Sequence, residues 1–448
     1  MATNKKIKLG VFLDDLEFIL FSLKKNLLPI EIVYFVNKTS NVLSILPKDA
    51  KIAYYSFEKG YALQEGEDFL KAVVARSNFT KIAKEKKVSC FWLSLCQENV
   101  DFVSLWAHKN NFSLIGRPDL IKKLENKIFF DRFLAKHNIK KPNSQEIFYE
   151  QGKNIEFKHP FVLQDPVSSG GEGTFFIKNK NSLKQLNKSI LRDKAKLLLR
   201  ELVYGTPCGI TLFIDKDRAI TSSVRRQCFE NADNLARRVF LGVQFLPYSH
   251  FNKKETEEIN KTFFQISSIF RENKWFGLFN FDFIISKKGE IYLIECNPRI
   301  SAASSLLFYY PELNNGFNIA EVFLESLFKE KVQKESFIFY GLGKNQFQGS
   351  IFYLDIEVSA GKSIKIKKVF KEGVYEQTDS NILFLSYNLN KISSPNKRFI
   401  LKNEVCVGEV YKKAFTTSTI LSNYPLFDSK GALSQAGEII KKKFNYVD

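Results

Sequence analysis

The stretch NFDFIISKKGEIYLIECNPRIS holds two acids, Asp282 and Glu295, an amide, Asn297, and a cation, Arg299. LFNFDFIIS (278–286) and EIYLIECN (290–297) read as two strands joined by a tight turn at Lys287–Gly289. The acids are 295 − 282 = 13 residues apart, so opposed strands can set them side by side. Side chains alternate along a strand, which puts Asn297 and Arg299 on the same face as Glu295. Two carboxylates and an amide oxygen are hard ligands that suit Mg²⁺ shared with substrate phosphates. Two buried like charges are costly without such a cation. The competing reading is an exposed hairpin with scattered charges. Against it, both acids lie inside runs of Phe, Ile, Leu and Tyr, where an acid is usually buried and partnered. Arg299 is placed to meet a phosphate or carboxylate oxygen.

Two further segments carry candidate chemistry. SSGGEGT (168–174) links two β-rich runs, and its Ser168, Ser169, Gly170, Gly171 and Gly173 allow a close backbone approach to an anion. It is no Walker A loop, because no Gly-Lys-Ser/Thr opens a helix. SVRRQCFENADNLARRVF (223–240) holds Arg225, Arg226, Arg237 and Arg238. Arg225 and Arg226 point opposite ways on a strand, so at most one faces a site, where it could clamp a carboxylate bidentately. Surface arginines on an edge strand are the alternative.

In their order and spacing these pieces resemble the ATP-grasp superfamily over roughly residues 115–310. IGRPDLIKKLENKIFFDRFLAKHNIKKP is similar to the family's lysine-bearing helix, and HPFVLQDPVSSGGEGTFFI to its strand and phosphate-covering loop. LLLRELVYGTPCGITLFID resembles the strand and hinge that hold adenine, and DFIISKKGEIYLIECNPR the metal-binding pair. The resemblance implies a phosphate-contacting Lys127, a loop of Ser168, Ser169, Gly170, Gly171 and Gly173 over the phosphates, and a hinge of Glu201, Leu202 and Val203 bonding adenine through its backbone. It makes Asp282, Glu295 and Asn297 the metal ligands and Arg299 a contact to substrate or developing oxyanion charge. Arg225, Arg226 and Arg299 are the expected substrate contacts. Two departures stand out. The family's second lysine, at the end of the strand before the loop, is Gln164 here, with Lys178 and Arg200 as candidate replacements for its charge. The acid that commonly holds the ribose is not evident near Pro207 and Cys208.

The elements that must position these residues follow from the hydrophobic pattern. KKIKLGVF (5–12), EIVYFV (31–36) and AKIAYYS (50–56) read as strands, 15–28 and 67–87 as helical, and VSCFWLSL (88–95) as β-rich. Strands alternating with helices predict a parallel α/β domain over 1–117. No GxGxxG follows the first strand, so no dinucleotide site is read there. Residues 118–139 form one or two helices opened by Pro118. KLLLRELV, ITLFID and RAITSSVRR (218–226) read as strands, 181–193 and 255–273 as helices. From about 340 the chain is strand-rich (GSIFYLDIEV, KSIKIKKVF, NILFLSYNL) and ends in a helix over 431–444. The expected fold is α/β and α+β: an N-terminal parallel domain, two α+β lobes around a nucleotide (118–204 and 205–339), and a small α+β or β-rich domain (340–448).

Composition removes several function classes. The longest apolar runs fall short of the roughly 18 residues a membrane helix needs. The N-terminus lacks a signal-peptide apolar core. Six Cys without a CxxC pair fit reduced thiols in a cytoplasm. Four His far apart in sequence give no zinc pattern. The formal charge of +19 is spread over dispersed lysines, which reads as a solvated surface rather than an RNA-binding face.

The function implied by the resemblance is an ATP- and Mg²⁺-dependent ligase. It would activate a small-molecule carboxylate as an acyl phosphate and join it to an amine, giving an amide or dipeptide-like product. A bicarbonate-activating carboxylase component is the enzymatic alternative, and no biotinyl-type carrier segment is present for it. A nucleotide-binding regulatory protein with lost chemistry is the third, favoured by Gln164 and opposed by the intact acidic set. Residues 340–448 leave specificity and oligomerisation open as roles, a homodimer included.

Overall fold

The computed structural model describes residues 7–23, 30–38, 50–59, 68–148, 157–167, 173–185, 196–231, 238–328, 337–356, 358, 361–379, 381–405, 407, 409–412, 415–444 and 446. Strands β1 (Ile7–Phe12), β2 (Ile30–Asn37), β3 (Lys51–Tyr55), β4 (Cys90–Trp92) and β5 (Ser113–Ile115) form one sheet in the order β3-β2-β1-β4-β5. Each neighbouring pair is parallel. β2 is apolar and buried along most of its length, as a strand covered on both faces must be. The expected helix over 15–28 is seen as Leu16–Ile19, then a 3₁₀ turn at Phe21–Leu23, and 24–28 lie outside the described residues. Residues 67–87 contain two helices, Phe69–Arg76 and Phe79–Glu85, because Ser77 is extended between them.

Residues 118–139 likewise divide into helices Pro118–Leu124 and Lys127–Lys136. Asn126 makes the break, since its side chain accepts from the Phe129 N–H and caps the second helix. The next sheet contains β6 (Ser144–Phe148), β7 (Phe161–Gln164), β8 (Thr174–Ile177) and β9 (Lys196–Glu201), antiparallel in the order β6-β9-β7-β8. The expected 181–193 helix is seen as Lys180–Gln185, and 186–193 lie outside the described residues.

The third sheet is the largest. It begins with β10 (Gly205–Ile214), β11 (Arg218–Thr221), β12 (Arg225–Asn231), β13 (Arg238–Phe245), β14 (Gly277–Ser286) and β15 (Ile291–Asn297). It continues through β16 (Ile338–Tyr340) and β17 (Ser350–Ile356). After a separate strand β18 (Ile364–Lys365) come β19 (Gly373–Gln377), β20 (Ile382–Ser386) and β21 (Arg398–Asn403), then β22 (Val410–Tyr411), which pairs β18, and β23 (Phe415–Ser422). The order is β15-β14-β10-β12-β13-β17-β23-β21-β19-β20, with β11 pairing β10 and β16 pairing β11. Apart from β18 and β22, the strands after residue 340 extend the central sheet through the β13–β17 pair. RAITSSVRR, expected as one strand, is two. The chain breaks at Ser222–Val224, where the Ser222 hydroxyl accepts from the Thr211 N–H and its own N–H bonds the Thr211 carbonyl. KSIKIKKVF shortens to the two-residue β18, and the closing helix runs Gln435–Lys443.

One helix explains which way the acids point. Lys253–Glu272 opens with a capping box between Asn252 and Glu255 and buries Ile259, Phe263, Ile266 and Phe270. That stripe packs on Phe279, Phe281 and Phe283 of β14. Alternation then turns Asn280, Asp282 and Ile284 to the opposite face.

Candidate functional site

The hairpin places Asp282 directly across from Glu295, with Asn280 across from Asn297. The register slips by one just after Asp282, so Ile294 is an extra residue on β15. Asp282, Glu295, Asn297 and Arg299 all line a cavity of about 470 Å³. Its other walls come from the four-stranded sheet (Gln164, Thr174, Phe176, Arg200) and from the connection Glu201–Gly205. The space thus lies between the two sheets, with the connecting segment at one end. Gly205 is required there: a Cβ would meet the Ile285 carbonyl oxygen at 2.2 Å.

Burial, and then the neighbouring Glu295, push Asp282 up to about 6. Lys127 is buried and its Nζ stands 3.5 Å from Glu295 Oε2. Its backbone N–H bonds the Pro166 carbonyl, tying the helix start to the chain that enters the glycine loop. The donor set therefore fits a hard divalent cation: two carboxylates and an amide, one acid raised by burial and then by its partner, and phosphate or water oxygens to complete the shell. Among the described residues no group of three or more His, Cys, Asp or Glu side chains is gathered, so a nitrogen- or sulfur-rich metal cage is absent from them.

Gln164 is buried; it accepts from Arg200 at 2.9 Å and donates to Thr174 Oγ1 at 3.2 Å. Lys178, the other candidate replacement cation, is exposed on the cavity wall. Glu201, Leu202 and Val203 line the cavity, with the Glu201 side chain held by Asn143 Nδ2 at 2.8 Å. Gly173 is buried and its carbonyl accepts from the Asp165 N–H, closing the loop. Ser168, Ser169, Gly170 and Gly171 lie outside the described residues, as do Arg237 and the Arg238 side chain.

The paired arginines separate. Arg225 stands in register with Gly209, which in turn faces Asp282. Because Gly209 has no side chain, the guanidinium lies across it; a Cβ there would meet Arg225 Nε at 3.0 Å. Arg225 donates to Thr211 Oγ1 at 3.0 Å and Asn280 Oδ1 at 3.2 Å. Arg226 turns to the other face, where it bonds the Asp428 carbonyl and meets His250. Its expected substrate contact therefore has no support in the geometry, since alternation sends the two neighbours apart.

Two positioning residues carry little signal in the sequence. Glu125, one residue past a helix, bonds Arg299 Nε and accepts from the Gln97 N–H. Burial raises the Glu125 carboxyl despite that arginine. Asn280 holds the Arg299 carbonyl with its amide and receives the Ser301 hydroxyl on its oxygen. Alternation with Asp282 could have flagged Asn280; nothing local marks Glu125.

Residues 124–303 match the family model described as an ATP-grasp domain. This segment is an ATP-grasp domain. It spans Lys127, Glu201–Val203, the acidic hairpin and Arg299. The search of curated proteins found no match. Among solved structures, the chain is similar to the biotin carboxylase domain dimer of Hydrogenobacter thermophilus 2-oxoglutarate carboxylase, in complex with MgADP, ADP and bicarbonate. That likeness has a TM-score of 0.61 at 14% identity, covering 94% of this chain and 87% of that one. An L-amino acid ligase from Bacillus licheniformis is similar with a TM-score of 0.58 at 14% identity, over 99% and 98% of the two chains. A carboxyaminoimidazole ribonucleotide synthase from Aspergillus clavatus, complexed with ATP, follows at 0.55 and 13%, over 98% and 99%. At such identities the likeness shows the ATP-grasp fold alone. No helix among the described residues is long and apolar enough to cross a membrane.

Proposed function

We propose that the protein is an ATP- and Mg²⁺-dependent ligase that converts a small carboxylate to an acyl phosphate, releasing ADP, and passes the acyl group to an amine, releasing phosphate. The observation that carries this reading is the cross-strand Asp282–Glu295 pair, with Asn297 and Arg299 beside it, on a cavity that also takes in the inter-sheet connection. Asp282, Glu295 and Asn297 would hold the cation. Bound there, Mg²⁺ would neutralise phosphate charge. The backbone of Glu201–Val203 would bond the adenine, and the 168–173 loop would cover the phosphates and keep water from the acyl phosphate. Lys127 would balance Glu295 and contact a phosphate oxygen.

Arg225 is the best-supported contact for the substrate carboxylate. It is 4% exposed, and among the described residues its hydrogen-bond acceptors are neutral oxygens. A buried guanidinium lacking a hydrogen-bonded carboxylate is costly and becomes favourable when an anion arrives. Burial indeed lowers its pKa, with Asp282 acting against that shift. Arg299, fixed by Glu125, would face the charge that develops as the acyl group is transferred.

The test is an ADP-release screen with Mg·ATP against pooled carboxylates, bicarbonate, and amines including amino acids. Asp282→Asn and Glu295→Gln serve as inactive controls. Turnover that needs both a carboxylate and an amine supports the ligase. Turnover on bicarbonate without an organic carboxylate replaces it with the carboxylase reading. Arg225→Met is expected to raise KM for the carboxylate at least tenfold while leaving nucleotide binding within about twofold.

A further inference from the structure

Arg200 is 1% exposed, and its guanidinium touches three separate parts of the fold. Nε and Nη2 donate to Asp131 Oδ1 at 3.3 and 3.2 Å. Nη1 donates to Gln164 Oε1 at 2.9 Å and to the Ile294 carbonyl at 3.0 Å. Asp131 belongs to the helix that also carries Lys127, Gln164 to the four-stranded sheet, and Ile294 to the strand that carries Glu295. The Ile294 contact falls on the register slip, where one residue of β15 has no partner on β14. The peptide that presents this carbonyl also carries the Glu295 N–H, so its orientation fixes how Glu295 leaves the strand.

We propose that Arg200 is a positioning residue: by gripping the bulged peptide at Ile294 it sets where the Glu295 carboxylate stands, and residue 164 is an amide because Arg200 needs an acceptor there. The inference rests on the proposed metal-nucleotide site. Helix Lys127–Lys136 then holds Glu295 twice, through the Lys127 ammonium at its carboxylate and through Asp131 and Arg200 at its backbone. Only a planar fork of five donors can serve Asp131, Gln164 and Ile294 together; a lysine brings one nitrogen. A lysine at 164 would set a second cation against a guanidinium already destabilised by burial. Loss of Arg200 would not strand Asp131, which keeps Lys141 at 2.8 Å and Ser144 at 2.6 Å.

The experiment compares the full chain with Arg200→Met, Arg200→Lys and Gln164→Lys. It reads Mn²⁺ binding in the presence of ADP by electron paramagnetic resonance, metal-free ADP binding by calorimetry, and thermal unfolding. The expected result is Mn²⁺ affinity at least tenfold weaker in Arg200→Met and Gln164→Lys, less so in Arg200→Lys, with metal-free ADP affinity within threefold in the Arg200 variants. A purely structural contact would shift unfolding alone. If Arg200→Met does not fold, Gln164→Lys decides. Mn²⁺ affinity within twofold of the parent in Gln164→Lys or a folded Arg200→Met overturns the inference and leaves the site standing. A parent that binds no Mn²⁺ with ADP overturns the site itself, and the inference with it.

Discussion

Replacing Asp282 by asparagine should make the metal-free protein more stable while removing its metal-nucleotide binding. Asp282 titrates near 6 instead of 3.8, first because it is buried and next because Glu295 faces it. A rise from 3.8 to about 6, at about 1.4 kcal/mol per tenfold change in proton affinity, amounts to roughly 3 kcal/mol. The sign follows from linkage: a carboxyl raised in the folded state holds its proton more tightly there than in the unfolded chain. Its ionisation costs nothing below about pH 4, costs more as pH rises, and is fully unfavourable above about 6. Asparagine keeps the shape and an acceptor oxygen without the charge, and its own burial takes back part of the gain. A net stabilisation of about 1–3 kcal/mol is expected at pH 8, seen as a melting temperature higher by several degrees. Thermal scans in chelator at pH 4 and pH 8 measure it, and calorimetry with Mg·ATP measures the functional loss. The reasoning is refuted if the variant melts lower at pH 8, if its advantage is equal at both pH values, or if Mg·ATP binds as tightly as before.

Gly209→Ala should act on the carboxylate substrate at a distance from the nucleotide. The new Cβ meets the Arg225 guanidinium at 3.0–3.1 Å, so kinetics should show KM for the carboxylate raised severalfold, with KM for ATP nearly unchanged. Glu125→Gln removes the charged partner of Arg299; a charge-assisted bond of about 1.5–3 kcal/mol predicts a fall in kcat of about tenfold or more, and an unchanged kcat would separate Arg299 from the chemistry. Arg226→Met should cost about 1 kcal/mol in denaturant unfolding through the lost Asp428 contact, and leave both KM values alone; a raised carboxylate KM would return Arg226 to the site.

The order of chemistry along the chain was legible because it is local. A strand pair with a short turn puts Asp282 against Glu295 by register alone, and alternation carries Asn297 to the same face; Arg299, past the end of β15, still lines the same cavity. The parallel N-terminal sheet was legible for a similar reason, since strands and helices alternate in the apolar pattern. A short-range signal failed at RAITSSVRR, which breaks because Ser222 answers the Thr211 backbone. The strands after residue 340 were legible as strands, and the pairing of β17 with β13 decided where they join.

The strand period said that Arg225 and Arg226 must part, but only the β10 pairing decided which one shares a row with Asp282, since Gly209 leaves the gap that Arg225 crosses. Tertiary structure alone brought Glu125 to Arg299 across 174 residues and Arg200 to Ile294 across 94. Residue type and spacing specify which groups can do chemistry; a buried charge finds its partner only when separate elements close around it and exclude the water that would otherwise solvate it.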